Sequence, residues 1–407
     1  MNTLSFFALI HEIFKKGKPD IDKIQEKGLL AVKIGQAFAL RIDFLDPETT
    51  TELSKLYQDT RSLPAEELDI LLKSYVDKEW FENFRSIEKE PMASASIGQV
   101  HRARLTDGTP VVVKIIKKDF TENFRKDANR VMGFFKIITF LYPKLRRVAN
   151  PVALLEMIRE DTLSELNLEN EIKHQLELRE IYKEYHTRLD LSDLDFPKIY
   201  PELSNEKVMV SEEIPGETVE RLLERDGMDY SILRKLFRLQ GFFMFGIGRF
   251  HGDLHPGNLI IHNQKYYFVD CGALGSVSKN LRVGLFNFMK HLSYNDFDAC
   301  AHALNEMSVS RISDEKYEKY RQKFHRLYKN FPGKTVSEVS LTRQMMETIK
   351  MGVHHGMDFE KGIFPIIKSL MYLDGMIIRC NPDAILMEDM QSDIPILQEW
   401  VDQEDME

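Results

Sequence analysis

The chain is short of the residues that would commit it to a specialised class. Cys271, Cys300 and Cys380 are its only cysteines. They are odd in number and far apart, which excludes a disulfide framework and points to a reducing, cytoplasmic setting. No apolar run reaches the roughly 18–20 residues that a membrane-spanning helix needs. The longest, around Val131–Tyr142 and Gly241–Ile247, are short, interrupted or flanked by charge. A surplus of positive charge is also missing, since Lys+Arg 55 against Asp+Glu 64 gives a net charge of −9. That excess is local: Asp383–Glu407 holds nine acids and no base, so the rest is near neutral. A near-neutral body offers no electrostatic case for nucleic acid as a partner. The acidic stretch itself reads as a solvated tail. Internal repeats and low-complexity tracts are absent. What is present is an ordinary globular balance, 43% hydrophobic and 29% charged, over 407 residues, enough for two or three packed units.

Residues 1–14, MNTLSFFALIHEIF, lack the basic start and small-residue cleavage site of a secretory signal. They read as an amphipathic helix followed by Lys15, Lys16 and Lys18, packed on its own domain, with peripheral contact to a lipid surface as the sharper reading. Apolar spacing through Ile24, Leu30, Ile34 and Phe38 continues a helical extension over residues 1–88. Near residue 91 the texture changes. QVHRARLT and PVVVKIIK are β-rich runs joined by Asp107-Gly108, a hairpin signal. Helical spacing resumes from Thr121 to His186, and KVMVSEE (207–213) reads as a buried strand before Pro215-Gly216. The spacing therefore predicts a small β-containing lobe over 89–216, a helical lobe over 217–382 and the acidic tail over 383–407. The fold class is α+β. Within the second lobe, residues 231–250 form a buried helix, and LIIH and YYFVD flank a turn at Asn263-Gln264.

The chemistry concentrates in His251-Gly252-Asp253-Leu254-His255-Pro256-Gly257-Asn258 and, further on, Val269-Asp270-Cys271-Gly272. Phosphoryl transfer needs a carboxylate beside the incoming hydroxyl or water, and metal ions across the phosphates. Asp253 is a candidate base. Asn258 and Asp270 offer hard oxygens for Mg²⁺. This spacing matches the catalytic core of protein-kinase-like enzymes. Ligation of zinc by His251, His255 and His262 is the lesser reading; His251 is expected to hold the loop through backbone hydrogen bonds, and Cys271 to fill space. Upstream, Ala93-Ser94-Ala95-Ser96-Ile97-Gly98 follows a G-x-G-x-x-G frame with alanine at its first two glycines, and Val100 begins the strand after it. Lys114 on the next strand stands where a kinase lysine meets the α/β-phosphates of ATP. Its carboxylate partner is one of Glu165, Glu169 and Glu171. Glu212, Glu213 and Ile214 form the expected hinge, with backbone groups reading adenine. Gly333-Lys334-Thr335 ends like a Walker A loop, but Tyr328 stands where the first glycine belongs.

In combination these strings resemble the UbiB family of atypical, protein-kinase-like proteins linked to ubiquinone biosynthesis. The resemblance covers about residues 20–290. It rests on Lys33-Ile34-Gly35-Gln36 (the family's KxGQ), Gln58-Asp59, the Ala-rich loop, Lys114, Glu165-Leu166-Asn167 in place of E-x-D, HGDLHPGN and DCG. It implies a bilobal kinase-like fold with the helical extension packed over the active site. It implies ATP and Mg²⁺ as ligands, Glu171 as the partner of Lys114, and Lys33, Gln36 and Glu165 as a gate. The implied activity is slow ATP hydrolysis, or phosphorylation of something small, in support of quinone or lipid metabolism and in complex with proteins of that metabolism. Asn167 departs from the family's aspartate. Gly252 replaces the arginine of regulated kinases, and no A-P-E follows Asp270. The alternatives are a small-molecule phosphotransferase of the aminoglycoside- or choline-kinase type, which would lack the KxGQ helix, and a non-catalytic nucleotide-binding scaffold.

Overall fold

The computed structural model describes residues 2–15, 17–39, 45–57, 63–118, 120–141, 151–186, 191–360 and 362–403. Gln58-Asp59, Lys16 and the basic Lys144-Arg146-Arg147 cluster lie outside the described residues. The chain forms two compact units, one of residues 1–173 and 197–213, the other of residues 174–196 and 214–407.

The first unit is built on a five-stranded antiparallel sheet. Phe84–Ile87, Gly98–Leu105, Pro110–Ile116 and Val208–Glu212 lie in that order, and Ala93–Ser94 pairs with Gly98–Leu105. Gly108, with φ 88°, closes the hairpin at the site Asp107-Gly108 predicts. Strand side chains alternate between faces. Val111, Val113 and Ile115 therefore all enter one core with Leu68, Leu72, Trp80, Val208 and Val210, while Lys114 emerges on the opposite face. Leu68, Leu72 and Trp80, together with the strand Phe84–Ile87, belong to the span expected to be a purely helical extension. The last part of that extension is thus built into the sheet.

A second core in this unit joins the helices Thr3–Phe14, Leu29–Ala39, Thr121–Leu141 and Pro151–Glu165. Phe6, Leu9 and Ile13 are its contribution from the first helix, whose N-terminus is capped by the Asn2 side chain accepting from Ser5 N. The Phe6 and Phe135 rings meet edge to face at 5.3 Å. The opposite face leaves Leu4 and Phe7 exposed, as are Ile137, Phe140 and Leu141 on the Thr121–Leu141 helix.

In the second unit the helix Tyr230–Gly241 runs into a π-helical turn, Phe242–Ile247, which Gly248 ends at φ 78°. The aromatic side chains of this turn are buried, as the apolar run 231–250 predicts. Short strands then frame the loop of interest. Arg249–His251 pairs with Leu274–Ser276, and Leu259–His262 pairs with Lys265–Phe268 across a tight turn. Asn263 and Gln264 both take positive φ there, the twist a two-residue hairpin needs.

The acidic segment departs from the expectation of a solvated tail. It carries the helices Leu386–Asp389 and Ile394–Gln403, and Leu386, Met387, Met390, Ile394, Leu397, Trp400 and Val401 lie in the main core. The reason is helical spacing: Ile394, Leu397 and Val401 share one face, and the acids take the others or find partners. Asp389 accepts from Tyr230 Oη at 2.7 Å and Asp393 pairs with Arg234 at 3.0 Å. Trp400 packs edge to face on Phe242 at 5.3 Å. Among the described residues no helix is long and apolar enough to cross a membrane.

Candidate active site

In the first unit, Lys114 Nζ donates to both carboxylate oxygens of Glu171, at 2.9 and 2.7 Å. Of the three carboxylates the sequence offered, Glu171 takes this two-pronged position; it lies in the first turn of the helix Leu168–Tyr185. The side chains are 16% and 6% exposed, so water competes little for this pair. Glu165, at the end of the preceding helix, pairs instead with Lys33 of the Leu29–Ala39 helix. Between them Asn167 Oδ1 accepts from Glu169 N at 2.9 Å, a local turn that starts the next helix. An aspartate could accept the same bond, which gives Asn167 a structural reason to stand at this position.

The Ala-rich loop is a tight hairpin. Ala93 and Ser94 pair with Val100 and Gln99, and Ala95 N donates to Gly98 O at 2.8 Å, leaving Ser96 and Ile97 at the tip. A Cβ on Gly98 would lie 3.0 Å from Ile115 O, so the third glycine of the frame is kept for close strand packing. Val100 faces Lys114 across the strands. Lys117, which the sequence pattern did not single out, stitches this loop down. Its Nζ donates to Ala95 O at 2.6 Å and its N to Ile97 O at 2.9 Å, and burial lowers its pKa from 10.5 to about 8.

Of the remaining expected residues, Gln36 Nε2 donates to Leu56 O at 2.9 Å and so holds its own extension together. Gly35 permits that approach, because a Cβ there would sit 2.4 Å from Leu56 Cδ1. The Glu212 carboxylate accepts from Lys198 N at 3.0 Å, and Glu213 pairs with Arg102. One of the points where the chain passes from one unit to the other falls between Glu213 and Ile214.

In the second unit His251 is the fixed point of the loop. Asp253 N donates to its Nδ1 at 3.2 Å, which puts the ring proton on Nε2, and Nε2 donates to Val269 O at 3.2 Å. Complete burial lowers its pKa and keeps the ring neutral. Asn258 Nδ2 donates to Asp253 O at 3.0 Å, and Val269 N donates to Asn258 O at 3.0 Å, so one network ties together 251, 253, 258 and the strand before Asp270. Asp270 itself takes φ 53°, a left-handed backbone that turns the chain sharply as the strand ends.

Asp253 has a partner from far along the chain: Lys368 Nζ lies 2.8 Å from its Oδ1. Burial favours the neutral acid, but Lys368 and then His255 outweigh it and hold this carboxyl well below the usual carboxylate range. Lys368 sits in the helix Ile363–Cys380 within IFPIIKSLMY, and a lone lysine in so apolar a run is the signal that could have drawn attention to it. The next residue, Ser369, is wholly buried; Gln240 Nε2 donates to its Oγ at 2.8 Å and to His251 O at 3.0 Å. Arg249, just before the loop, makes a two-pronged pair with Glu177 at 2.6 and 2.8 Å.

Among the described residues no three His, Cys, Asp or Glu side chains are grouped to hold a metal ion by themselves. The Asn258 and Asp270 pair is nevertheless a donor set that suits Mg²⁺, which usually takes one or two protein oxygens and completes its shell with phosphate and water. With Nδ2 of Asn258 committed to Asp253 O, its amide oxygen is the atom left to meet a cation.

The ABC1 atypical kinase-like domain matches residues 55–304, more than half of the chain. The probable protein kinase UbiB of Sodalis glossinidius is 27% identical over 396 residues, covering 93% of this chain and 69% of the relative. An uncharacterized protein of the hydrogenase 1 5' region in Clostridium pasteurianum is 25% identical over 378 residues, covering 92% and 70%. Among solved structures, the Mycobacterium tuberculosis protein Rv3197, determined in complex with erythromycin, aligns with a TM-score of 0.54 at 22% identity, over 89% of this chain and 90% of that one. That likeness concerns the fold.

Proposed function

The chain belongs to the ABC1 atypical kinase-like family, and from that premise we propose that it is an ATP- and Mg²⁺-dependent kinase or ATPase of the UbiB type. The observation that most supports this reading is the two-pronged Lys114–Glu171 pair, formed between a strand and a helix. In kinases such a pair must be in place before phosphates can be positioned.

The proposed roles follow from what each group can do. Lys114, oriented by Glu171, holds the α/β-phosphates. The tight hairpin Ala93–Gly98 covers the nucleotide, while backbone groups around Glu212 and Ile214 read adenine. Asp253, ionised, accepts a hydrogen bond from the attacking hydroxyl or water and orients it in line. Asn258 and Asp270 hold the ion, and Mg²⁺ when bound screens the charge of the phosphates. Lys33, Gln36 and Glu165 act as the gate. The KxGQ helix argues for this type over aminoglycoside- or choline-kinase-like enzymes, and a role in quinone or lipid metabolism comes with it. The exposed Leu4, Phe7, Ile137 and Phe140 support a peripheral lipid contact.

The test is Mg²⁺-dependent phosphate release from ATP by the wild type and Asp270→Asn, with and without anionic liposomes. Release that is lost in a variant with unchanged melting supports the assignment. Equal turnover by both proteins removes it, and nucleotide binding without release in either moves the reading to a scaffold.

A further inference from the structure

Asp253 stands beside the atom that attacks, and in an in-line transfer the phosphoryl group lies one bond-forming distance beyond that atom. A cation 2.8 Å from Asp253 Oδ1 is therefore within a few ångströms of where the transferred phosphate must come. Lys368 is that cation. Its side chain remains 23% exposed, against 27% for Asp253, so neither is sealed from solvent.

Its placement is built rather than incidental. The helix Ile363–Cys380 addresses the loop with three residues of one stretch. Lys368 meets the Asp253 carboxylate, Ser369 Oγ lies 3.5 Å from His251 O, and the Tyr372 ring packs on His255 with centroids 5.9 Å apart. Ile366, Leu370 and Leu373, all buried, pin the helix to the core around these contacts. A flexible lysine on a surface helix would lose most of its preference for one position; this one is held at both flanks.

We infer that Lys368 is a second phosphate-binding cation of this site, directed at the terminal phosphate of a nucleoside triphosphate and supplied from beyond the matched residues 55–304. An ammonium carries three donors, so Lys368 can keep its ion pair with Asp253 while one donor meets a terminal phosphoryl oxygen. Paired in this way, Lys368 also cancels the charge with which Asp253 would repel the incoming triphosphate. The group it recognises is the γ-phosphate, which a diphosphate lacks. The inference rests on the nucleotide reading above and adds a residue to it.

The experiment is equilibrium binding of a non-hydrolysable ATP analogue and of ADP, each with Mg²⁺, to the full chain as wild type, Lys368→Met and Lys368→Arg, with thermal melts alongside. Loss of a charge-assisted bond to the γ-phosphate lowers affinity by about 10- to 100-fold. We expect that loss for the ATP analogue in Lys368→Met, little change for ADP, and recovery of most of it in Lys368→Arg. Equal weakening of both nucleotides, or of neither, overturns the role assigned to Lys368 while leaving the kinase reading standing. A wild type that binds neither nucleotide removes the kinase reading, and the role of Lys368 goes with it. If Lys368→Met fails to fold, the Arg variant carries the test: a longer, planar cation must still favour the triphosphate analogue over ADP, and loss of that preference overturns the inference.

Discussion

The turn between two long helices, residues 165–171, offers two glutamates, each to a lysine, and the two pairs are built for different uses. Glu171 takes Lys114 in a two-pronged grip with both side chains largely out of water. Glu165 takes Lys33 through one oxygen while its own side chain is 36% exposed. The first is shielded and geometrically specified, the behaviour of a strut. The second is open to water on its Glu165 side only, for Lys33, which comes from a helix of the extension, is 11% exposed. Seven residues of chain thus carry one contact suited to permanence and one better suited to being made and broken.

The sharpest way to break the contrast is Lys114→Met. It removes the cation proposed to hold phosphate and takes from the buried Glu171 the ammonium that meets both of its oxygens. Phosphate release should fall by about 100-fold or more, and urea unfolding should show a loss of about 3 kcal/mol. Adding Glu171→Gln should restore much of the stability and none of the turnover; purely additive losses in the double variant would show that the two side chains are not coupled. Next in size is Gly35→Ala, which forces a methyl against Leu56 within the extension. It should cost about 1–3 kcal/mol in the same assay, and an unchanged midpoint would mean that the KxGQ helix has room to spare. Glu165→Gln should sit at the other end of the comparison. Its stability effect should stay within about 1 kcal/mol, whereas phosphate release should rise severalfold if the Lys33 pair restrains the site, and slower release would make that pair a support.

The smallest effect concerns Lys117, whose Nζ donates to the Ala95 carbonyl. Its folded-state pKa of about 8 lies below the ordinary 10.5. Below about 8 the ammonium is charged in both states, and the full cost of burying it is present. From about 8 to 10.5 the unfolded chain keeps the proton that the folded chain has released, so stability should rise with pH across that window. Denaturant midpoints of wild type relative to Lys117→Met, followed across this range, check the sign; a falling difference would mean that the folded state prefers the charged form.

Much of the local geometry around the candidate site was legible because its signals are local. Asp107-Gly108 and Asn263-Gln264 announce hairpins by backbone preference alone, and Asp253 and Asn258 are close enough in sequence for spacing to mean proximity. Lys114 was legible for a similar reason, lying on a strand next to its loop. Its partner was legible only by resemblance, since Glu165, Glu169 and Glu171 are chemically equal in the sequence. Other features depended on contacts that spacing does not encode. Lys368 reaches Asp253 from a helix far along the chain, and Gln36 turns inward to Leu56. The acidic segment misled because charge count was weighed over periodicity: Ile394, Leu397, Trp400 and Val401 outvote the acids among them once a core is there to receive them.

The order in which a ribosome makes this molecule gives the helix Ile363–Cys380 a further consequence. The strands, the Lys114–Glu171 strut and the loop around Asp253 all leave the ribosome before Lys368 is translated. A nascent chain that stops short of Ile363 has the Asp253 carboxylate but neither the lysine that faces it nor the Ser369 hydroxyl beside His251. In a truncated or stalled product the Asp253 carboxylate therefore stands without the charge of Lys368 beside it.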